Sequence, residues 1–238
     1  MLFRSAMNKK MSERPHRKIN TYVRREGRLT RGQREALEKL YPKHSLTLND
    51  GGRLKLEDCF EGRGPVVIEV GFGSGEAIIS NALNFPDHNF LGIEVFRSGV
   101  GQVLNQIEQA QLNNLKVLCH DAIEVLESHI EAEAVDGIQV LFPDPWPKKR
   151  HHKRRMVNAK FLGLIAQKIK PGGYLFIATD EDGYAEHINE VLGSQSYFGT
   201  CAESEALDGP YFKRPSTRFE RRGIRLGNAI SEWRLQKI

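Results

Sequence analysis

From Gly64 onward the chain alternates between two hydrophobic patterns. Short unbroken apolar runs bounded by turn residues predict buried strands, and runs with apolar positions every three to four residues predict amphipathic helices. In order these are strand PVVIEVG, helix GEAIISNAL, strand NFLGIEV, helix SGVGQVLNQIEQAQL, strand LKVLCHD, helix AIEVLESHI and strand VDGIQVLF. After the segment FPDPWPKKRHHKRR the order resumes with helix NAKFLGLIAQKIK, a turn at PGG, strand YLFIATD and helix DGYAEHINEVLG. Strands separated by helices of this length pair in parallel, and the helices then cover both faces of the sheet. The predicted class is therefore α/β, with a doubly wound, mostly parallel sheet. From Tyr197 to Ile238 the alternation stops, which predicts antiparallel edge strands, the last of them holding Trp233.

Ahead of this region, Thr30 and Gln33 form a capping-box pattern before REALEKLY, and Pro42 is expected to stop that helix. Residues 1–28 have little apolar content and no period, so they are expected to form a basic, flexible arm, with residues 29–238 as one domain.

Composition adds little until its distribution is considered. The 238 residues are 39% hydrophobic and carry a net charge of +5, ordinary figures for a soluble chain. No apolar run is long enough to span a bilayer and the N-terminus lacks the apolar centre of a secretory signal, so the chain is expected to be cytoplasmic. Cys59, Cys119 and Cys201 are widely spaced and form no Cys-x-x-Cys pair, which suits core or surface thiols in a reducing compartment. Charge is concentrated in two blocks: eleven Lys or Arg against Glu13 and Glu26 between Met1 and Arg34, and six Lys or Arg between Lys148 and Arg155. Both could bind a polyanion; a terminal run is more often a solvated tail.

The candidate chemistry lies at the strand ends. EVGFGSGE follows the first strand and opens a helix, where Gly71, Gly73 and Gly75 let the backbone turn sharply beside a ligand. Glu76 occupies the position where a dinucleotide fingerprint needs a small residue, and no Lys-Ser/Thr pair follows, so a phosphate ligand is disfavoured. Acids recur at the carboxyl ends of the strands: Glu69 in the first, Glu94 closing the second, Asp121 closing the third and Asp144 just past the fourth. Converging carboxylates need a cationic or donor-rich partner. A metal would answer, but histidine support is lacking and the acids come one per strand, so none is expected. S-adenosylmethionine fits better, being cationic at sulfur and amine and offering ribose hydroxyls and an adenine amine. Glu94, nineteen residues past Gly75, stands where an acid binds a ribose diol in doubly wound folds.

EVGFGSGE, GIEV, HDA, LFPDPWPKKRHHKRR, PGGYLFIATD and TRFERRG together closely resemble the bacterial tRNA (guanine-N7)-methyltransferases, over about residues 60 to 227. The resemblance implies a Rossmann-like methyltransferase fold that uses S-adenosylmethionine, releases S-adenosylhomocysteine and methylates N7 of a guanosine in the tRNA variable loop, position 46. Carried over by position, it assigns Glu69, Glu94, Asp121 and Asp144 to the methyl donor, beside which Gly71, Gly73 and Gly75 of the turn are expected to lie; Asp144, able to stabilise the cation that forms on the guanine, is also the expected catalytic residue. It assigns Lys148, Asp180, Thr217, Arg218, Phe219 and Glu220 to the substrate guanosine; the charge run itself is expected to track RNA phosphates next to the pocket, through Arg150, His151, His152, Lys153, Arg154 and Arg155. tRNA is the partner implied, with no obligatory protein partner evident. Within such a site the prolines at 143, 145 and 147 would stiffen the loop carrying Asp144. Without the site, FPDPW is a rigid turn. Trp146 is either a packing anchor or a stacking platform for a base. Three other functions compete with the implied one: amine methylation, an RNA-binding module that has lost catalysis, and, weakest, a nicotinamide dehydrogenase.

Overall fold

The structure is a computed structural model and describes residues 21, 22, 27–49, 51–201 and 215–238. Its centre is strand β1 (Val66–Val70), buried along its whole length. Val66, Ile68 and Val70 enter one apolar layer and Val67 the other, the two-residue alternation of a strand covered on both sides. The same division of side chains recurs in β2 (Asn89–Glu94), β3 (Leu115–Cys119), β4 (Val135–Leu141) and β5 (Ile169–Thr179).

Helices α1 (Arg31–Lys39), α3 (Glu76–Asn84) and α4 (Arg97–Ala110) supply the layer around Phe90, Val117 and Phe176. Helices α5 (Ala122–Ser128), α6 (Ala159–Lys168) and α7 (Asp182–Gly193) supply the layer around Leu91, Ile138 and Ile177. The C-terminal stretch adds β6 (Phe198–Thr200), α8 (Arg218–Arg225) and β7 (Ser231–Lys237). The sheet runs β3-β2-β1-β4-β5-β7-β6, parallel through β5 and antiparallel at β7 and β6, with Trp233 paired to Ile177. Strand order reverses between β1 and β4, and the carboxyl ends of those strands open the crevice where such sheets bind ligands.

Two elements differ from expectation. Helix α1 does end ahead of Pro42, at Lys39, but helical structure resumes at once in a second short helix, α2 (Tyr41–His44), where Pro42 sits in the first turn and its missing N–H costs nothing. The turn expected at PGG forms inside β5, which starts at Ile169. There the register with β4 shifts, Val135 pairing with Ile169 and Gly137 next with Tyr174. Gly172 supplies the left-handed backbone (φ +75°), and the Asp136 carboxylate beside the shift accepts from Lys170 Nζ and the Val66 N–H. The arm expected over residues 1–28 lies outside the described residues, apart from Thr21, Tyr22, Gly27 and Arg28. Among the described residues no helix is long and apolar enough to cross a membrane.

Candidate active site

A cleft of about 1100 Å³, counting its open mouth, lies over the carboxyl ends of β1, β2 and β4. Gly71 and Gly73 of the glycine turn line it, and Gly75 is not among the lining residues. Gly71, Gly73 and Gly75 all have positive φ, and a Cβ on Gly75 would stand 2.2 Å from a Val103 methyl, so both backbone and space demand glycine there. Glu69, Glu94, Asp121 and Asp144 all line this one cleft, as the strand-end pattern predicts.

The four acids are held differently. Glu69 is 3% exposed, and its Oε2 is buried without a hydrogen-bond partner. Burial, and secondarily the Glu94 charge, push its pKa up to about 8. Glu94 is tied into the backbone: Oε2 accepts the Gly73 N–H at 2.9 Å, and Oε1 accepts the N–H groups of Val95 and Phe96 at 2.7 and 3.0 Å. Burial raises its pKa and these bonds partly oppose the rise. It therefore clamps the glycine turn to the end of β2, and a carboxylate with about four acceptor sites keeps one for a ligand. Asp121 caps α5, its Oδ1 accepting from Ile123 at 2.9 Å. Asp144 stands at the mouth, exposed to solvent, where partial burial against the wall lifts its pKa. Among the described residues, His, Cys, Asp and Glu form no group that could hold a metal ion.

The loop carrying Asp144 is fixed by more than prolines. Phe142 and Trp146, two bulky aromatics on either side of it, both occupy the left-handed region, with φ of 52° and 48°. Such backbone persists only where surroundings enforce it, and it concentrates at functional sites. The enforcing contacts are visible. Phe142 N–H donates to the Ala178 carbonyl of β5, and the Trp146 indole N–H donates to the Thr21 carbonyl at 3.0 Å. Trp146 also carries the Arg154 guanidinium over its ring at 5.0 Å and His151 edge-on at 5.6 Å. Its contacts are those of a packing anchor.

The basic run forms a 3₁₀ segment over Lys149–Arg154. Lys148, Lys149, Arg150 and Lys153 are exposed in the segment that follows the cleft-lining Asp144, and His151, His152 and Arg154 are half-buried. The expectation for Arg155 is corrected here. It is 4% exposed, donates to the carbonyls of Pro145 and Gly183 at 3.0 Å, and stacks on the Tyr184 ring at 5.0 Å. A cation so enclosed holds the Asp144 loop against α7 and cannot reach an RNA phosphate. Charge runs give no hint of which member turns inward.

The TRFE segment is the start of α8. Thr217 is its N-cap, accepting the Glu220 N–H, while the Glu220 carboxylate accepts the Thr217 N–H. This is a capping box, readable from Thr-x-x-Glu. Thr217 also lines the cleft. Arg218 and Phe219 follow in the first turn of α8. Asp180, at the end of β5, is not among the residues lining the cleft; it packs on α8, where a Cβ on Gly223 would stand 2.7 Å from its carboxylate. Glu76 figures in the sequence only as an obstacle to a phosphate ligand, and the structure gives it a further place. It lines the cleft and is held by α8 through the Arg218 N–H and Arg221. Nothing local in the sequence connects positions so far apart.

Residues 63–233 match a family model described as "Putative methyltransferase". The chain is 45% identical over 216 residues to the tRNA (guanine-N(7)-)-methyltransferase of Alkalilimnicola ehrlichii, covering 90% of each protein. It is 46% identical over 215 residues to the protein of that name from Aeromonas hydrophila, again covering 90% of each. A solved antibiotic-related methyltransferase, 16% identical, superposes with a TM-score of 0.52 over 84% of this chain and 99% of that one, a likeness of fold alone. With its Rossmann-like methyltransferase sheet and these near-full-length identities, the chain belongs to the tRNA (guanine-N(7)-)-methyltransferase family.

Proposed function

We propose that this protein transfers a methyl group from S-adenosylmethionine to N7 of a tRNA guanosine, in the variable loop at position 46, within one domain spanning residues 29–238. The observation that carries the reading is the meeting of four strand-end carboxylates in one cleft, with a run of exposed cations beginning four residues after the last of them, Asp144. The orphaned Oε2 of buried Glu69 calls for a cationic or donor partner, which S-adenosylmethionine provides. Glu69, the remaining acceptor site of Glu94, the free oxygen of Asp121 and Asp144 would hold it against Gly71, Gly73 and Gly75. When bound, the donor supplies an electrophilic methyl group on sulfonium.

Guanine N7 carries an in-plane lone pair and no proton, so its attack requires no general base from the chain. The N7–carbon bond forms as the carbon–sulfur bond breaks, its electron pair returns to sulfur, and positive charge moves onto the guanine. Asp144 is placed to orient the approaching base and to stabilise the ring as it becomes cationic. Its loop, braced by Arg155 and by left-handed Phe142 and Trp146, keeps that carboxylate in position. Thr217, Arg218, Phe219 and the cations from Lys148 to Arg154 are the proposed acceptor side, with Asp180 and Glu220 supporting it through α8.

Incubation with labelled donor and unmodified tRNA, followed by mass-spectrometric mapping, tests the reading. Label is expected in 7-methylguanosine at position 46; label elsewhere overturns it. In the same assay Asp144→Ala should lower turnover at least about a hundredfold, a loss typical of one electrostatic stabiliser, while tRNA retention stays within about threefold. Near-normal turnover removes Asp144 from the chemistry.

A further inference from the structure

One carboxylate joins the glycine turn to the C-terminal helix. Glu76 is the first residue of α3, directly after Gly75. Its Oε2 accepts the backbone N–H of Arg218, the first residue of α8, and its Oε1 lies 3.1 Å from the Arg221 guanidinium one turn later. Arg221 also donates to the Ser216 carbonyl, just ahead of the helix cap. The Glu76 carboxylate thus sits at two helix N-termini at once, its own and that of α8, where both dipoles favour negative charge.

An exposed ion pair alone does little for stability, and these side chains are 34% and 52% exposed. Its importance is geometric. A carboxylate gripping both a first-turn N–H and a side chain three residues on fixes where α8 sits and how it is rotated. The residue so fixed is Thr217, which lines the cleft while capping α8. A second anchor acts on the same helix, since Gly223 leaves room for the Asp180 side chain at the end of β5 and no larger residue would. Glu76 itself lines the cleft, so one side chain borders the proposed donor site and holds the acceptor's helix.

We propose that Glu76 is a positioning residue for the tRNA substrate, seating α8 and Thr217 on the rim of the cleft through Arg218 and Arg221. The proposal rests on the reading of the protein as a tRNA methyltransferase. Donor contacts at Glu69, Glu94 and Asp121 do not pass through this link, so its loss falls on the acceptor side.

The test is steady-state kinetics with tRNA, combined with calorimetric binding of S-adenosylhomocysteine in the absence of RNA. Glu76→Ala should lower kcat/KM for tRNA about tenfold, the scale of one lost charge-assisted hydrogen bond, mostly through KM. Affinity for S-adenosylhomocysteine is read in Arg221→Ala, which breaks the link while leaving the cleft-lining Glu76 in place, and should stay within about twofold of wild type. Glu76→Gln, which keeps an acceptor for the Arg218 N–H, should recover most of the loss. Arg221→Ala should add little in the Glu76→Ala background, because the two act as one unit. An unchanged KM for tRNA, additive single losses, or a parallel fall in S-adenosylhomocysteine affinity overturns the proposal. A wild-type protein that fails to methylate tRNA overturns the functional reading and this inference together. An active wild type matched by its Glu76→Ala variant overturns the inference alone.

Discussion

Glu69 is the residue at which the cleft's electrostatics concentrate. Burial holds its carboxyl near pKa 8, far above the value in an unfolded chain. Between about pH 4.5 and 8 the unfolded chain has released this proton while the folded protein retains it. Its contribution to stability is therefore fully present below the unfolded value and is lost as pH rises through 8. Glu69→Gln removes that titration, so the variant should gain over wild type as pH rises, by an amount on the order of a few kcal/mol at pH 9. Thermal melts across pH 4 to 9 would check this; a constant difference contradicts it. A cationic donor lowers the same pKa, so donor binding should release a proton and tighten as pH rises toward 8. An acid inside an apolar strand is legible in sequence because only a partner explains it. Glu76 and Arg155 were not legible, since their partners lie in α8 and α7 and no local pattern names them.

At the scale of elements, the segment from Phe142 to Arg155 divides its labour. Its first half is braced backbone and its second half exposed charge, with Arg155 folded back to hold the first. Reversing charge at Lys148, Arg150 and Lys153 should weaken tRNA binding and lower the magnitude of its salt slope by about 2 to 3, as three phosphate contacts would. Arg155→Met should leave that slope unchanged while reducing turnover. Equal slopes for the triple variant and wild type would make the run a solvated surface. The rigidity of FPDPW was readable from its prolines. The left-handed aromatics were not, because that conformation is imposed by β5 and Thr21, outside the loop. In TRFE the capping pattern Thr-x-x-Glu is local and legible, and it falls on the same residues that the resemblance assigns to the guanosine.

At the scale of the whole molecule, the parallel sheet was legible because its strands are buried on both faces and must be apolar throughout. The strand ends followed, and with them the gathering of Glu69, Glu94, Asp121 and Asp144 in one cleft. Less legible were junctions where tertiary pairing overrides local signals: the early start of β5 through PGG, and the link from α3 to α8. On the proposed function, sheet, cleft and basic segment are the surface on which a methyl donor and a polyanion would meet. The central claim concerns a single atom of that polyanion. Paired tRNA transcripts carrying guanosine or 7-deazaguanosine at position 46 differ only in the presence of N7. With labelled S-adenosylmethionine, the guanosine transcript should accept one methyl group and the 7-deaza transcript none; equal labelling of both would contradict the account.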